Sequence, residues 1–247
     1  MQNISEDFHI YHYKEVLSTN ESAFQMIENG LSSESIIIAN KQVKGKGRIG
    51  KKWISLEKNF YGSLIIKQMT NIEKLTELTF VTALAVGETL KSFGHNFNIQ
   101  YKWPNDILMD SKKISGILIE KKSYSNWIVI GIGINIHDSP ISCVSTSLYE
   151  YMNKEDLKIS NLILLNKLII NFIKIRKKWL DHGFNIIRNM WLMKALNIEQ
   201  KISIQLSHKV YEGTFIDIDD KGQLILKIKD SSLMYFNAGE LFFNNLL

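Results

Sequence analysis

Apolar positions recur along this chain with two periods, and the period changes where turn residues cluster. Phe8 to Leu17 carries aromatic residues at Tyr11 and Tyr13 and is expected to be a first strand. The run Ser35-Ile36-Ile37-Ile38-Ala39 is apolar without alternation and reads as a short buried strand. Asn59 to Ile66, Phe97 to Lys102, Ile107 to Met109, Lys113 to Glu120 and Trp127 to Ile136 also predict extended segments. The last three are expected to form a central sheet. Between them, Leu75, Leu78, Val81, Ala85, Val86 and Leu90 recur at three- and four-residue steps. That spacing predicts an amphipathic helix over residues 72–93, stopped by Gly94. Ser160 to Leu180 and Phe184 to Leu196 predict two more helices.

Turn chemistry sharpens the boundaries. Ser18 or Thr19 could cap a helix running to Glu28, with Glu21 placed for a capping box. Their hydroxyls could equally face a ligand at this strand-to-helix junction. Pro104 keeps Trp103 out of a helix, and Asp110-Ser111-Lys112 reads as a hairpin turn. Beyond Gln200 the pattern changes to short strands, at 201–206, 209–218, 223–228 and 232–237, with a turn at Asp219-Asp220-Lys221-Gly222. Such spacing predicts a small β-barrel. We therefore expect two domains, residues 1–199 and 200–247.

Composition narrows the class. The chain has 247 residues, 45% of them hydrophobic, enough for a sizeable core. The net charge of +5 is mild, with acidic residues interspersed, and no basic helix marks a specific nucleic-acid binder. The single cysteine, Cys143, excludes an internal disulfide and any multi-cysteine metal site. We read it as structural. The six histidines show no metal-binding spacing. The apolar tract from Leu162 to Ile175 is broken by Asn166, Lys167, Asn171 and Lys174, so no membrane span is expected. Residues 1–7 are polar and acidic, unlike a secretory signal, and a cytoplasmic protein is expected.

One stretch carries unusual chemistry. Lys44-Gly45-Lys46-Gly47-Arg48-Ile49-Gly50-Lys51-Lys52-Trp53 packs three glycines, five cations and a tryptophan into ten residues. Taken alone, a Gly/Lys-rich run is usually a solvated loop. Yet the chain has 27 lysines and only 3 arginines, and one of the three sits here. Glycine amides flanked by cations suit a phosphate or carboxylate, and an arginine adds a planar fork. No Gly-Lys-Ser/Thr closes the run, so it is not a P-loop.

Five motifs then stand in one order: Ser18-Thr19-Asn20; Gln42 with the glycine loop; Lys102-Trp103-Pro104-Asn105-Asp106; Lys112 to Glu120 around Lys113 and Gly116; and Gly131-Ile132-Gly133-Ile134-Asn135. The tail adds Gly213, Asp219, Gly222, Leu224 and Ala238-Gly239-Glu240. This arrangement resembles the biotin–protein ligases over nearly the whole chain. The resemblance implies an α+β fold. Its catalytic domain would be like a class II aminoacyl-tRNA synthetase, a mixed sheet flanked by helices, followed by a small SH3-like barrel. Some members carry an N-terminal DNA-binding repressor domain. Because the motifs begin by Ser18, none is expected here.

The implied reaction has two steps. Biotin's carboxylate attacks the α-phosphate of ATP to give biotinyl-5'-AMP and pyrophosphate. A lysine of an acceptor, the biotin carboxyl carrier protein or domain of a carboxylase, then takes the biotinyl group and AMP leaves. ATP chemistry implies Mg2+, for which no carboxylate cluster is visible. By resemblance, Ser18, Thr19, Asn20 and Gln42 line the biotin pocket, Lys46, Gly47 and Arg48 cover the biotin carboxylate and phosphate, and Gly116, Gly131 and Gly133 let the ligand approach the sheet. Lys113 contacts both reacting groups. Lys51, Trp53, Asn105 and Asn135, with Arg48 and Lys113, surround the nucleotide. Lys113, Arg48 and Asp106 are the expected catalytic residues. Lys46, Ile49 and Lys51 stand where the family commonly has arginine. Lys102 and Lys112 read as solvated hairpin lysines, and Trp103 as core. The loop is expected to be mobile until biotin and ATP order it. A homodimer is left open. So are two alternatives, a lipoate or octanoate ligase of the same superfamily and a nucleic-acid-binding module.

Overall fold

The computed structural model describes residues 8–67, 74–94, 96–141, 143–152, 159–206 and 209–243. Seven strands form one mixed sheet: β1 (His9–Val16), β2 (Ser35–Gln42), β3 (Phe60–Lys67), β4 (Ile99–Lys102), β5 (Asp106–Met109), β6 (Lys112–Glu120) and β7 (Trp127–Ile134). Their order is β1-β2-β3-β7-β6-β5-β4, and only the β1–β2 pair is parallel. The expected three-strand sheet is thus part of a wider one. Helix α2 (Lys74–Lys91) comes between β3 and β4 in the chain, and β7 returns to lie beside β3. Residues 72–73 of the expected helix lie outside the described residues.

Alternation sorts the two faces of the sheet. Ile36, Ile38, Leu64, Ile130 and Ile132 pack with α2 and with α3 (Asn161–His182). Ile37, Ile65 and Val129 point the other way, onto Ala23 of α1 (Thr19–Glu28). The uninterrupted apolar run in β2 is explained by helices on both sides. Ser160 caps α3 through its hydroxyl, which accepts from the Ile163 amide at 3.2 Å. Helix α4 (Phe184–Leu192) ends four residues before the expected Leu196. There the chain leaves the helix to bond β4: the Tyr101 amide donates to the Lys194 carbonyl, and the Leu196 amide to the Tyr101 carbonyl.

The C-terminal part is a five-stranded antiparallel sheet, β8 (Lys201–Leu206), β9 (Lys209–Ile218), β10 (Leu224–Lys227), β11 (Leu233–Phe236) and β12 (Glu240–Phe243), in the order β11-β10-β9-β8-β12. The sequence pattern missed β12, because Glu240-Leu241-Phe242-Phe243 is too short to show a period. The core of this sheet, including Ile204, Phe215, Leu224 and Leu226, is continuous with that of the first sheet. Cys143, read as structural, is exposed. No helix among the described residues is long and apolar enough to cross a membrane.

Candidate functional site

The side of the sheet that carries α1 also carries a cavity, and the pleat explains why it is open there. In β7, Val129 fills the space beneath α1, but the next two residues on that side are Gly131 and Gly133. Across the strand pair, Gly116 of β6 stands opposite Gly133, and Leu118 opposite Gly131. The floor of the cavity is therefore largely bare backbone. Two of the chain's own side chains use that room. The Trp53 indole lies on Gly116 and Gly133, where added Cβ atoms would stand 2.8 and 2.4 Å from the ring. The Asn20 amide lies on Gly131, with its Oδ1 2.5 Å from where a Cβ would be. These glycines, expected to let a ligand approach the sheet, line the cavity and also make room for the Trp53 and Asn20 side chains beside it.

The cavity is lined by Ser18, Thr19, Asn20 and Gln42 on one side and by Lys46, Gly47, Arg48, Lys51 and Trp53 of the glycine loop on another. Asn105, Asp106, Lys113, Gly116, Gly131 and Gly133 complete the set. Every expected site residue except Asn135 therefore meets here. Asn135 is buried, and its Nδ2 donates to the Thr146 carbonyl at 3.1 Å, while its Oδ1 has no partner among the described residues. It lies past the last residue of β7, where backbone bonds to Ile114 and Leu148 hold it against the segment that follows residue 143, and it does not line the cavity. Sequence reasoning also missed part of the wall. Lys102, read as a solvated lysine, lines the cavity, as do Ile49, Lys52 and, from the C-terminal part, Gly239 and Leu241. Motifs group residues near one another in sequence, and nothing in β12 signals that it would close a site built by β6 and β7.

The electrostatics favour an anion. Lys46, Arg48, Lys51, Lys52, Lys102 and Lys113 line the cavity, and among the described lining residues the only carboxylate is Asp106. Lys113 Nζ pairs with Asp106 Oδ1 at 2.7 Å and lies 5.4 Å from the centre of the Trp53 ring. Its backbone is clamped by residues 144–146: the Lys113 amide donates to the Val144 carbonyl, and the Thr146 amide to the Lys113 carbonyl. Arg48 Nη1 donates to Asn105 Oδ1 at 3.2 Å, while Asn105 Nδ2 donates to the Ile117 carbonyl at 2.8 Å. Burial pushes the Arg48 guanidinium below the usual arginine value, and nearby Asp106 partly offsets this. A desolvated cation of this kind gains most when an anion arrives.

The loop itself is a hairpin. The Trp53 amide donates to the Gly45 carbonyl, the Gly47 amide to the Lys51 carbonyl, and the Lys51 amide to the Arg48 carbonyl. Ile49 and Gly50 both have positive φ, at 51° and 73°, as the two central residues of a type I′ turn require. Lys46 reaches across to helix α1 and pairs with Glu21 at 2.6 Å, a contact that raises its pKa.

Ser18 does not cap α1 with its side chain, and Glu21 closes no capping box, since it is engaged by Lys46. Gln42 reaches the first residue of α1 from β2. Its Oε1 accepts from both the Thr19 amide, at 2.9 Å, and the Thr19 hydroxyl, at 3.1 Å. Asn20 is anchored below, accepting from Ser63 at 2.6 Å and donating to Glu120 at 2.7 Å.

Known proteins share both the sequence and the fold. Residues 14–135 match the biotin/lipoate A/B protein ligase family, and residues 198–243 match the biotin protein ligase C-terminal domain. The chain belongs to the biotin protein ligase family. It is 28% identical over 240 residues to the bifunctional ligase/repressor BirA of Bacillus subtilis, covering 93% of this chain and 73% of that protein. It is 29% identical over 234 residues to the biotin–[acetyl-CoA-carboxylase] ligase of Paracoccus denitrificans, covering 92% of this chain and 97% of that one. Its fold superposes on the biotin protein ligase of Aquifex aeolicus in complex with biotin and ATP with a TM-score of 0.80 and 27% identity, covering 95% and 97% of the two chains.

Proposed function

We propose that this protein activates biotin with ATP to biotinyl-5'-AMP and transfers the biotinyl group to a lysine of a biotin carrier domain. The observation that carries this reading is the cationic cavity over a glycine floor, in which Arg48, Lys113 and the Trp53 indole converge. A carboxylate and a triphosphate repel each other, and cations held in a partly desolvated site offset that repulsion. In this reading Lys113 and Arg48 bind the biotin carboxylate and the α-phosphate, and so stabilise the charge that builds on the phosphate during attack. Asp106 holds Lys113 in place for the incoming ligands. Trp53 covers the acyl-adenylate and excludes water from it. Ser18, Thr19, Asn20 and Gln42 form the biotin end, and Lys51 and Asn105 lie toward the nucleotide. The second step needs no nucleophile from this chain, because the acceptor amine attacks the activated carbonyl and AMP leaves.

The donor set does not fit a resident Mg2+. Asp106, the one lining carboxylate among the described residues, already pairs with Lys113, and no group of three acidic, histidine or cysteine residues that could hold a metal occurs among them. Magnesium would instead enter on the phosphates of ATP, as part of the substrate. The carrier domain of an acetyl-CoA carboxylase is the acceptor that the Paracoccus relative's name supports. The same proposal includes a catalytic domain of residues 1–199, a C-terminal domain of residues 200–247 and a cytoplasmic location. Exchange of labelled pyrophosphate into ATP tests the activity. Biotin should support exchange and lipoate should not; the reverse result would assign the protein to the lipoate branch of the family.

A further inference from the structure

Gln42, at the biotin end of the cavity, is held from behind by Ser55, which does not line it. Gln42 could present either end of its amide to Thr19, and the geometry decides which. The Thr19 backbone N–H can only donate, so the group 2.9 Å away must be the carbonyl oxygen Oε1. The Thr19 hydroxyl lies 3.1 Å from the same oxygen and must donate to it as well. Gln42 Nε2 then faces away from Thr19 and donates to the Ser55 hydroxyl at 3.3 Å. Ser55 follows the glycine hairpin by two residues and in turn hydrogen-bonds Tyr61, whose own hydroxyl donates to the Leu56 carbonyl at 2.6 Å. Gly45 makes room for this chain of contacts: a Cβ there would stand 3.0 Å from Ser55 Oγ and 3.2 Å from Gln42 Nε2.

This arrangement sets what the biotin end of the cavity offers. Gln42 satisfies the amide of Thr19, the first residue of α1, and the buried Ser18 side chain makes no cap bond to that helix. The Thr19 hydroxyl has given its proton to Gln42, so toward a ligand it can act only as an acceptor. A ligand atom that meets Thr19 must therefore be a donor, as a ureido N–H is.

We propose that Ser55 is a positioning residue for the biotin end of the site: acting through Gln42, it fixes the Thr19 hydroxyl as an acceptor for a ureido N–H. This inference rests on the biotin-activating reading above. Steady-state pyrophosphate exchange on the full chain tests it. Ser55→Ala should raise KM for biotin about threefold to tenfold, the effect of weakening one such hydrogen bond. The kcat and the KM for ATP should stay within about twofold of the unaltered protein on the same grounds. Ser55→Thr, which keeps the hydroxyl, should restore KM. On a Thr19→Val background, Ser55→Ala should add nothing further, since the hydroxyl it orients is gone. An unmoved biotin KM in Ser55→Ala, an equal rise in KM for ATP, or additivity with Thr19→Val would each overturn the inference while leaving the functional reading intact. Absence of biotin-dependent exchange in the unaltered protein would overturn that reading, and this inference with it.

Discussion

Lys113 combines the two properties the reaction asks of a cation: it is reachable from the cavity, and its backbone is fixed on both sides. Its side chain is 34% exposed and supports no core, so Lys113→Ala should leave the fold intact. Adenylate formation should fall by about 100-fold or more, the usual cost of removing a preorganised charge partner. Single-turnover measurement of biotinyl-adenylate checks this, and a rate near that of the unaltered protein would remove Lys113 from the reaction. A second lysine matters for stability. Burial, and then contact with Lys91, push Lys194 down to about 8, while Lys91 keeps its proton beside Glu88 at 2.5 Å. A lysine whose folded-state pKa is depressed costs stability wherever it must carry a proton. The cost is full below about pH 8 and lifts as pH rises toward 10.5, the ordinary value. Lys194→Met should therefore raise Tm at pH 7 by about 1–3 °C, a modest gain because the group is partly solvated. The gain should shrink above about pH 8 and vanish near pH 10.5, which thermal melts across that range would show.

The glycine hairpin is the element on which the proposed chemistry depends most, and it carries a residue ill suited to its turn. Ile49 is β-branched, 75% exposed, and held at a φ of 51°. That region is unfavourable for such side chains by about 1–2 kcal/mol, whereas asparagine enters it readily. The exposed side chain loses little packing on substitution. Ile49→Asn should stabilise the unliganded hairpin by about 1 kcal/mol. Limited proteolysis between Lys44 and Lys51 should then slow in the absence of ligands. Biotin with ATP should protect the same segment in the unaltered protein, as a lid that closes over an adenylate would be protected. Faster cleavage in the variant would mean that the turn has another conformation in solution. The ion pair between Lys46 and Glu21 is partly exposed and adds little stability, but it ties the hairpin to α1 and so aligns the two halves of the cavity.

At the scale of the molecule, Trp103 joins the two sheets. It is buried just past the end of β4, and its Nε1 donates to the Gly222 carbonyl in the turn between β9 and β10 at 3.1 Å. Gly222 itself lies against Thr76 and Phe80 of α2. Trp103→Phe keeps most of the apolar volume but leaves that carbonyl without its donor, which should cost about 1–3 kcal/mol. Urea unfolding measures the loss, and an unchanged midpoint would show that the junction does not depend on this bond. Most of the elements and the residue types of the site were legible in the order of residues alone. Alternating and helical spacings are local properties of the chain, and the glycine hairpin, Lys113 and the Trp103-to-Asp106 run carry their chemistry in plain order. How those residues are arranged around the cavity was decided by packing. The strand order β3-β7-β6 brings Asn20 to Glu120 and Gly131, positions about a hundred residues apart in sequence, and the glycines there make room for Trp53 and Asn20. The same packing bonded the first amide of α1 to Gln42, placed Asn135 outside the cavity wall with its amide on the Thr146 carbonyl, and brought Gly239 and Leu241 into that wall. Each of these depends on which strand lies beside which, and hydrogen bonds between distant segments leave no periodic trace in the sequence.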